Sequence, residues 1–201
     1  MSTDDLLNVD KGSVVPCESV DLFAEAIDVS IPVKDRSVLK GLRAGQRLNL
    51  TGVMYTARDA AHRRIVEAIG AGDTLPFDLS NQFIYYAGPC PAPPGRVIGS
   101  IGPTTSYRMD TYAPVLIQSG LAAMIGKGGR SKAVVRSMVE HGSLYLAAVG
   151  GAGALLSRRV VRADVVAYEE LGTEAVRRLE VKDFPVVVAI DTAGRSIYCR
   201  R

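Results

Sequence analysis

Apolar positions alternate with polar ones, or run together as β-branched residues, over 26–33, 47–54, 83–87, 97–101, 121–125, 144–149, 159–168 and 185–190. Windows of this length and period predict strands. Between them apolar residues recur at helical spacing, most clearly over 58–69 and 132–141, and shorter helices are predicted over 110–119 and 173–179. Many strands with a few interleaved helices predict a compact α/β domain in preference to an all-β sandwich. A chain of 201 residues suits one core of ordinary size, so residues 1–201 read as a single domain, with 1–20 as an N-terminal extension.

The helix predicted over 58–69 carries the first candidate chemistry. Thr56 and Asp59 have the spacing of a capping box, with Asp in place of Glu, which starts the helix just after Thr56. Counting back from Ile65 and Ile69 puts His62 and Arg58 on the same inward stripe. An inward arginine needs an anionic partner, and a helix N-terminus attracts anions. Arg58 is therefore half of a structural ion pair or an anion ligand, and His62 is a satisfied core histidine or, with Asp59, a support for such a ligand.

Three loops add to this. Gly88–Gly95 holds Pro89, Pro91, Pro93 and Pro94, so it is a rigid segment after a strand, and it contains Cys90. Gly102-Pro103-Thr104-Thr105-Ser106-Tyr107-Arg108 places three hydroxyls and an arginine after another strand, and helix capping alone would use one or two of the hydroxyls. Gly126-Lys127-Gly128-Gly129 follows the strand ending at Ile125, so Lys127 emerges where glycines let backbone approach a ligand; taken singly, an ordinary solvated lysine is the better reading. His141, before Gly142, reads as a structural cation at a helix C-terminus.

Composition removes several classes of function. With 47% apolar and 22% charged residues the chain is of ordinary globular make-up. A net charge of +3 with dispersed basic residues predicts no nucleic-acid binding. No stretch reaches the 18 or so apolar residues of a spanning helix, and the acidic start MSTDDLLNVDKG lacks signal-peptide character, so a cytoplasmic protein is expected. Gly151-Ala152-Gly153 is followed by Leu156 where a dinucleotide fingerprint needs glycine, and the residues around Lys127 fail the P-loop pattern. Cys17, Cys90 and Cys199 are too scattered for a zinc site or a disulfide framework.

The blocks Thr56-Ala57-Arg58-Asp59-Ala60-Ala61-His62, Ile84-Tyr85-Tyr86-Ala87-Gly88-Pro89, Gly102 through Asp110, and Met124-Ile125-Gly126-Lys127-Gly128, with Lys182-Asp183-Phe184-Pro185 near the end, resemble in order and spacing the C-terminal region of class I fumarases and the beta subunits of fumarate and L-tartrate dehydratases. The resemblance runs from about residue 20 onward. It implies a swivelling β/β/α domain, and a beta subunit of a two-subunit iron-sulfur hydro-lyase that reversibly hydrates a small dicarboxylate, fumarate/malate first. It further implies that Arg58, Thr104, Thr105, Arg108 and Lys127 bind substrate, with Thr104, Arg58 and Lys127 in catalysis and Arg58 lowering the pKa of Thr104. Three cations suit a dianion whose charge on oxygen grows when the proton alpha to a carboxylate leaves.

The family's cluster cysteines lie in a further region or separate alpha subunit. The expectation is that a 4Fe-4S cluster is held by that partner, with no metal bound by this chain alone, in an alpha2beta2 assembly. Two other readings stand beside this: an L-tartrate dehydratase beta subunit, and a non-catalytic dicarboxylate-binding subunit of the same fold. A Cys90 nucleophile would need His62 or His141 beside it.

Overall fold

The computed structural model describes residues 25–198. Cys17, Cys199 and the expected N-terminal extension lie outside them. Strands are β1 (Ile27–Ile31), β2 (Arg47–Thr56), β3 (Phe83–Tyr85), β4 (Ala123–Gly126), β5 (Leu144–Ala147), β6 (Val160–Ala167) and β7 (Val176–Ile190). Helices are α1 (Ser37–Gly41), α2 (Asp59–Ala71), α3 (Ala113–Gln118), α4 (Lys132–His141) and α5 (Gly153–Ser157). Strands β1 to β5 pair in parallel, in order. The long β7 then runs antiparallel to β5 and, on its other side, to β2. That second pairing closes β2-β3-β4-β5-β7 into a small barrel, with β1 and β6 attached at its flanks. The α/β expectation is met in this mixed form.

The alternation in the sequence sorts residues between two cores. Phe83 and Tyr85, Ala123 and Ile125, and Leu144 and Leu146 join Leu48, Leu50, Phe184, Val186 and Val188 in the barrel core. Their neighbours Ile84, Met124 and Tyr145 face the other way, onto Ala61 and Ile65 of α2, Leu116 and Ile117 of α3, and Val134 and Met138 of α4. A one-residue slip would exchange the two sets, so packing on both faces fixes the register. Because α2 and α4 are crossovers between parallel neighbours, every strand from β2 to β5 ends at the same rim of the barrel, the edge where α/β folds bind ligands.

Three predicted elements differ from the structure. Residues 97–101 form no strand: Ile98 and Ile101 are buried, but the segment is held by a bond from Cys90 N–H to Ser100 O (3.0 Å) and one from Ile101 N–H to Gly153 O (3.1 Å), so its apolar residues are used in a packed loop. Residues 173–179 form no helix. A 3-10 stretch over Glu169–Glu174 breaks at Gly172 (φ 60°), and β7 begins at Val176 because that segment is bonded on both sides, by β2 and β6. The helix expected over 110–119 starts late, at Ala113 beside Pro114, after a separate 3-10 turn at Ser106–Met109. His141 ends α4 as expected, with Gly142 in the left-handed region (φ 65°) as its C-cap.

Gly52 marks where β2 bends into the barrel. Its φ is +132°, it sits at a register shift against β7, and a Cβ there would come within 1.8 Å of the Ile31 carbonyl oxygen. Neither β1 nor β2 backbone can yield without losing ladder bonds. Gly52→Ala should cost about 3 kcal/mol and lower the thermal midpoint by roughly 6–12 °C for a domain of this size. A calorimetric midpoint within about 2 °C of the parent would show that the bend is soft.

Candidate functional site

The expected residues sit at the C-terminal rim of the parallel strands. Strand β2 runs through Thr56 into Arg58, the N-cap of α2. Thr56 caps nothing: it is fully buried and its hydroxyl oxygen accepts from Arg177 N–H (3.1 Å) of β7, so the expected capping box is absent. The first turn of α2 is instead served from a distant part of the chain, where Glu174 Oε2 accepts from Ala60 N–H (2.9 Å) while its Oε1 lies 3.5 Å from Arg58 Nη2. Arg58 thus has the anionic partner that an inward arginine requires. Its side chain is about four-fifths buried and lies over Gly88, where a Cβ would come within 2.9 Å of Nη1.

The segment after β3 folds back beside the end of β4. Thr104 N–H and the Thr104 hydroxyl both donate to Tyr86 O (2.7 Å each). Ser106 N–H donates to Lys127 O (2.9 Å), and Lys127 N–H to Thr104 O (3.2 Å). Thr104, Thr105 and Lys127 are therefore neighbours through backbone pairing, Thr105 opposite Lys127. Gly126 allows this approach: a Cβ there would lie 2.0 Å from Ser106 Oγ. Thr105 is exposed and is the N-cap of the 3-10 turn, but its hydroxyl makes no capping bond. Arg108, half exposed, donates from Nε to Asp59 Oδ1 (3.0 Å), which joins the turn to the start of α2. Lys127 is exposed, with no ion pair among the described residues.

The structure therefore brings Arg58, Asp59, Thr104, Thr105, Arg108 and Lys127 to one rim from the ends of β2, β3 and β4. It does not pair Arg58 with Thr104: their closest polar partners are Glu174 and Tyr86 respectively. His62 lies behind the rim, wholly buried, its ring edge-on to Tyr86 at 5.1 Å and its Nδ1 donating to Arg58 O (2.9 Å). Burial pushes its pKa down to about 4.

Sequence reasoning missed Glu174, Asp110 and Arg130. Arg130 has a fully buried side chain whose Nε donates to Asp110 Oδ1 (2.7 Å). The only local signal is the arginine closing the glycine-rich loop; Glu174 gives none, because its partners are over a hundred residues away. Toward a metal, no three His, Cys, Asp or Glu side chains converge among the described residues, and Cys90 is exposed on its proline-rich loop. This donor set does not fit an iron-sulfur cluster. No helix among the described residues is long and apolar enough to cross a membrane.

Residues 4–201 match the family model described as the fumarase C-terminus. Over 178 residues the chain is 39% identical to "Fumarate hydratase class I, anaerobic" of Escherichia coli K12, covering 87% of this chain and 32% of that protein. It is 44% identical over 166 residues to "Putative L(+)-tartrate dehydratase subunit beta" of Methanocaldococcus jannaschii, covering 80% of this chain and 85% of that one. A match to "Putative fumarate hydratase class I" of Geobacillus stearothermophilus is 31% identical and covers 35% of that protein. The chain thus spans about a third of the fumarate hydratases it matches and most of the archaeal subunit.

Buried neutral His62 makes stability depend on pH. Its pKa is about 4 folded against 6.5 unfolded, so the unfolded chain binds the proton first as pH falls. The contribution is full above about 6.5 and is lost as pH falls through about 4, amounting to roughly 3 kcal/mol. Urea titrations at several pH values should show this slope in the parent and lose it in His62→Gln. Identical slopes would mean that His62 is solvated or charged when folded.

Proposed function

This chain belongs to the fumarase C-terminus family, and on that premise we propose that it is the beta subunit of a two-subunit hydro-lyase that reversibly adds water to a small dicarboxylate, fumarate/malate first. The supporting observation is the convergence of Arg58, Arg108, Lys127 and Thr104 at one barrel rim. The L-tartrate dehydratase reading has support in the archaeal relative, which matches this chain over most of its own length. In this proposal the domain is of the swivelling β/β/α kind and assembles as alpha2beta2 in the cytoplasm. The alpha subunit supplies the cysteines for a 4Fe-4S cluster, and no step assigned to this chain passes through that cluster.

What this chain contributes is charge and orientation. Hydration places a hydroxyl on one alkene carbon and a proton on the other; in reverse, loss of the proton alpha to a carboxylate moves charge onto that carboxylate's oxygens. Fixed cations stabilise that state more than the ground state, which lowers the barrier and does not merely tighten binding. Arg108 gives Asp59 its Nε, which leaves the two terminal guanidinium nitrogens for a bidentate carboxylate. Arg58 is held by Glu174 along one edge. Lys127 brings a point charge on a flexible stem. Each arginine is thus anchored by one acid and keeps further donors, so the ligand meets cations already oriented.

Thr104 is the proposed proton carrier, and its geometry sets a condition. Its hydroxyl donates to Tyr86 O, so in this arrangement the oxygen can only accept from substrate; donating to substrate requires the proton to turn away from Tyr86 O about the Cβ–Oγ1 bond. Thr104→Ser keeps that rotation and should keep turnover. Thr104→Val should lower kcat by about a hundredfold or more with little change in KM, the range for a lost acid-base group. Thr105→Ala should leave both turnover and stability near the parent, because the Thr105 hydroxyl caps nothing. Normal turnover by Thr104→Val in an assembled complex would move the proton role to the alpha subunit.

The two-subunit reading has its own test. The purified chain, supplied without oxygen with iron and sulfide, should stay colourless and inactive and gain fumarate hydration on addition of the cognate alpha subunit. A cysteine-dependent cluster spectrum with activity from this chain alone would overturn it. Arg108→Lys keeps charge but loses the fork, and should cost the complex at least about tenfold in kcat/KM; unaltered kinetics would make Arg108 a structural residue.

A further inference from the structure

Arg130 stands out because an ionised side chain with no exposure is rarely retained for stability: buried ion pairs roughly break even against apolar residues of similar size. Its surroundings would have suited such a residue. The guanidinium lies between the rings of Tyr86 (5.4 Å) and Tyr145 (5.0 Å), and Nη1 is 3.3 Å from Met124 Sδ. Asp110, its partner, uses both oxygens: Oδ1 for Arg130 Nε at 2.7 Å and Oδ2 for Ser131 N–H at 2.6 Å. The pair therefore ties the loop after β4 to the turn after Arg108 at two consecutive residues. Tyr145 adds a second tie, its hydroxyl 2.8 Å from both Ser106 Oγ and Gly128 O.

Besides these ties the loop is held by Tyr198, which bonds the Gly128 backbone, and by little side-chain packing. A Cβ at Gly128 or Gly129 would meet nothing within 4 Å, and Gly128 has φ +81°. Lys127, exposed at the head of this loop, takes its position from backbone bonds to Thr104 and Ser106 and from whatever fixes the loop's far end. Arg130 is that far end.

We infer that the buried Arg130–Asp110 pair is a positioning device: it fixes the loop carrying Lys127 against the turn carrying Thr104 and Arg108, so that cations from two strand ends meet the same dianion. The inference rests on the dicarboxylate reading for its purpose, though not for its geometry. Arg130 touches no substrate and acts through Lys127. Arg130→Lys keeps the charge but loses the fixed Nε–H bond to Asp110 Oδ1 and the planar guanidinium beside the two tyrosine rings.

The test has two arms. In the full chain alone, hydrogen exchange at the Lys127 and Ser106 amides should speed up at least about tenfold in Arg130→Lys, with the β1–β2 ladder amides unchanged; unchanged exchange at Lys127 and Ser106 overturns the inference. In the complex with the alpha subunit, Arg130→Lys should lower kcat/KM for fumarate about tenfold, chiefly through kcat, and should add less than about twofold in a Lys127→Ala background, because both changes remove one interaction. Fully additive effects also overturn it. If Arg130→Lys does not fold, the isosteric Asp110→Asn carries both arms with the same expectations. Should the parent complex neither hydrate fumarate nor dehydrate tartrate, the functional reading fails, and the exchange arm still decides whether the pair fixes the loop.

Discussion

The antiparallel strand β7 is the constraint on which the rest of the structure depends. A parallel run from β1 to β5 would otherwise be an open sheet with unpaired donors and acceptors along its edges. By pairing with β5 at one end of its length and with β2 along most of it, β7 converts that run into a closed barrel. Closure fixes strand tilt and stagger together, so the ends of β2, β3 and β4 cannot shift independently. The candidate site, assembled from three strand ends and the turns beyond them, depends on that rigidity more than on any single contact.

How much of this was legible in sequence follows from which forces act locally. Helices α2 and α4 repeat at 3.6 residues and bury one stripe each, and the short strands β3 to β5 alternate between two cores; both patterns are written into neighbouring residues. The errors fall where tertiary bonding replaced local preference. Residues 176–181 hold helix-compatible Arg, Leu and Glu, yet β2 and β6 offer ladder partners on both sides, which a single sequence cannot show. Residues 97–101 look like a strand because Ile98 and Ile101 are buried, but they join the barrel core from a loop whose backbone pairs with that of Cys90 and Gly153 and not with a strand.

The site divides in the same way. Residues that must approach backbone closely are visible as glycines and hydroxyls: a Cβ at Gly126 would meet Ser106 Oγ, and the Thr104 hydroxyl bonds Tyr86 O. Their electrostatic partners are not visible, because an acid can come from anywhere in the chain. Asp59 reaches Arg108 across 49 positions, and Glu174 reaches Ala60 across 114. Family resemblance supplies the cations, whereas the acids that orient them appear only in three dimensions.

Those acids bind the fold to the site. Helix α2 has no capping side chain of its own, since Thr56 is spent on β7 and Arg58 makes no capping bond. An uncapped first turn frays unless an outside group satisfies its N–H donors. Glu174 does so from two residues before the start of β7, and the same carboxylate pairs with Arg58. The approach to the strand that closes the barrel thus delivers the group that both caps the first turn of α2 and aims Arg58. Position and charge at the rim are consequences of one closure: loosening the first residues of β7 would release the helix start, the arginine and the barrel seam together.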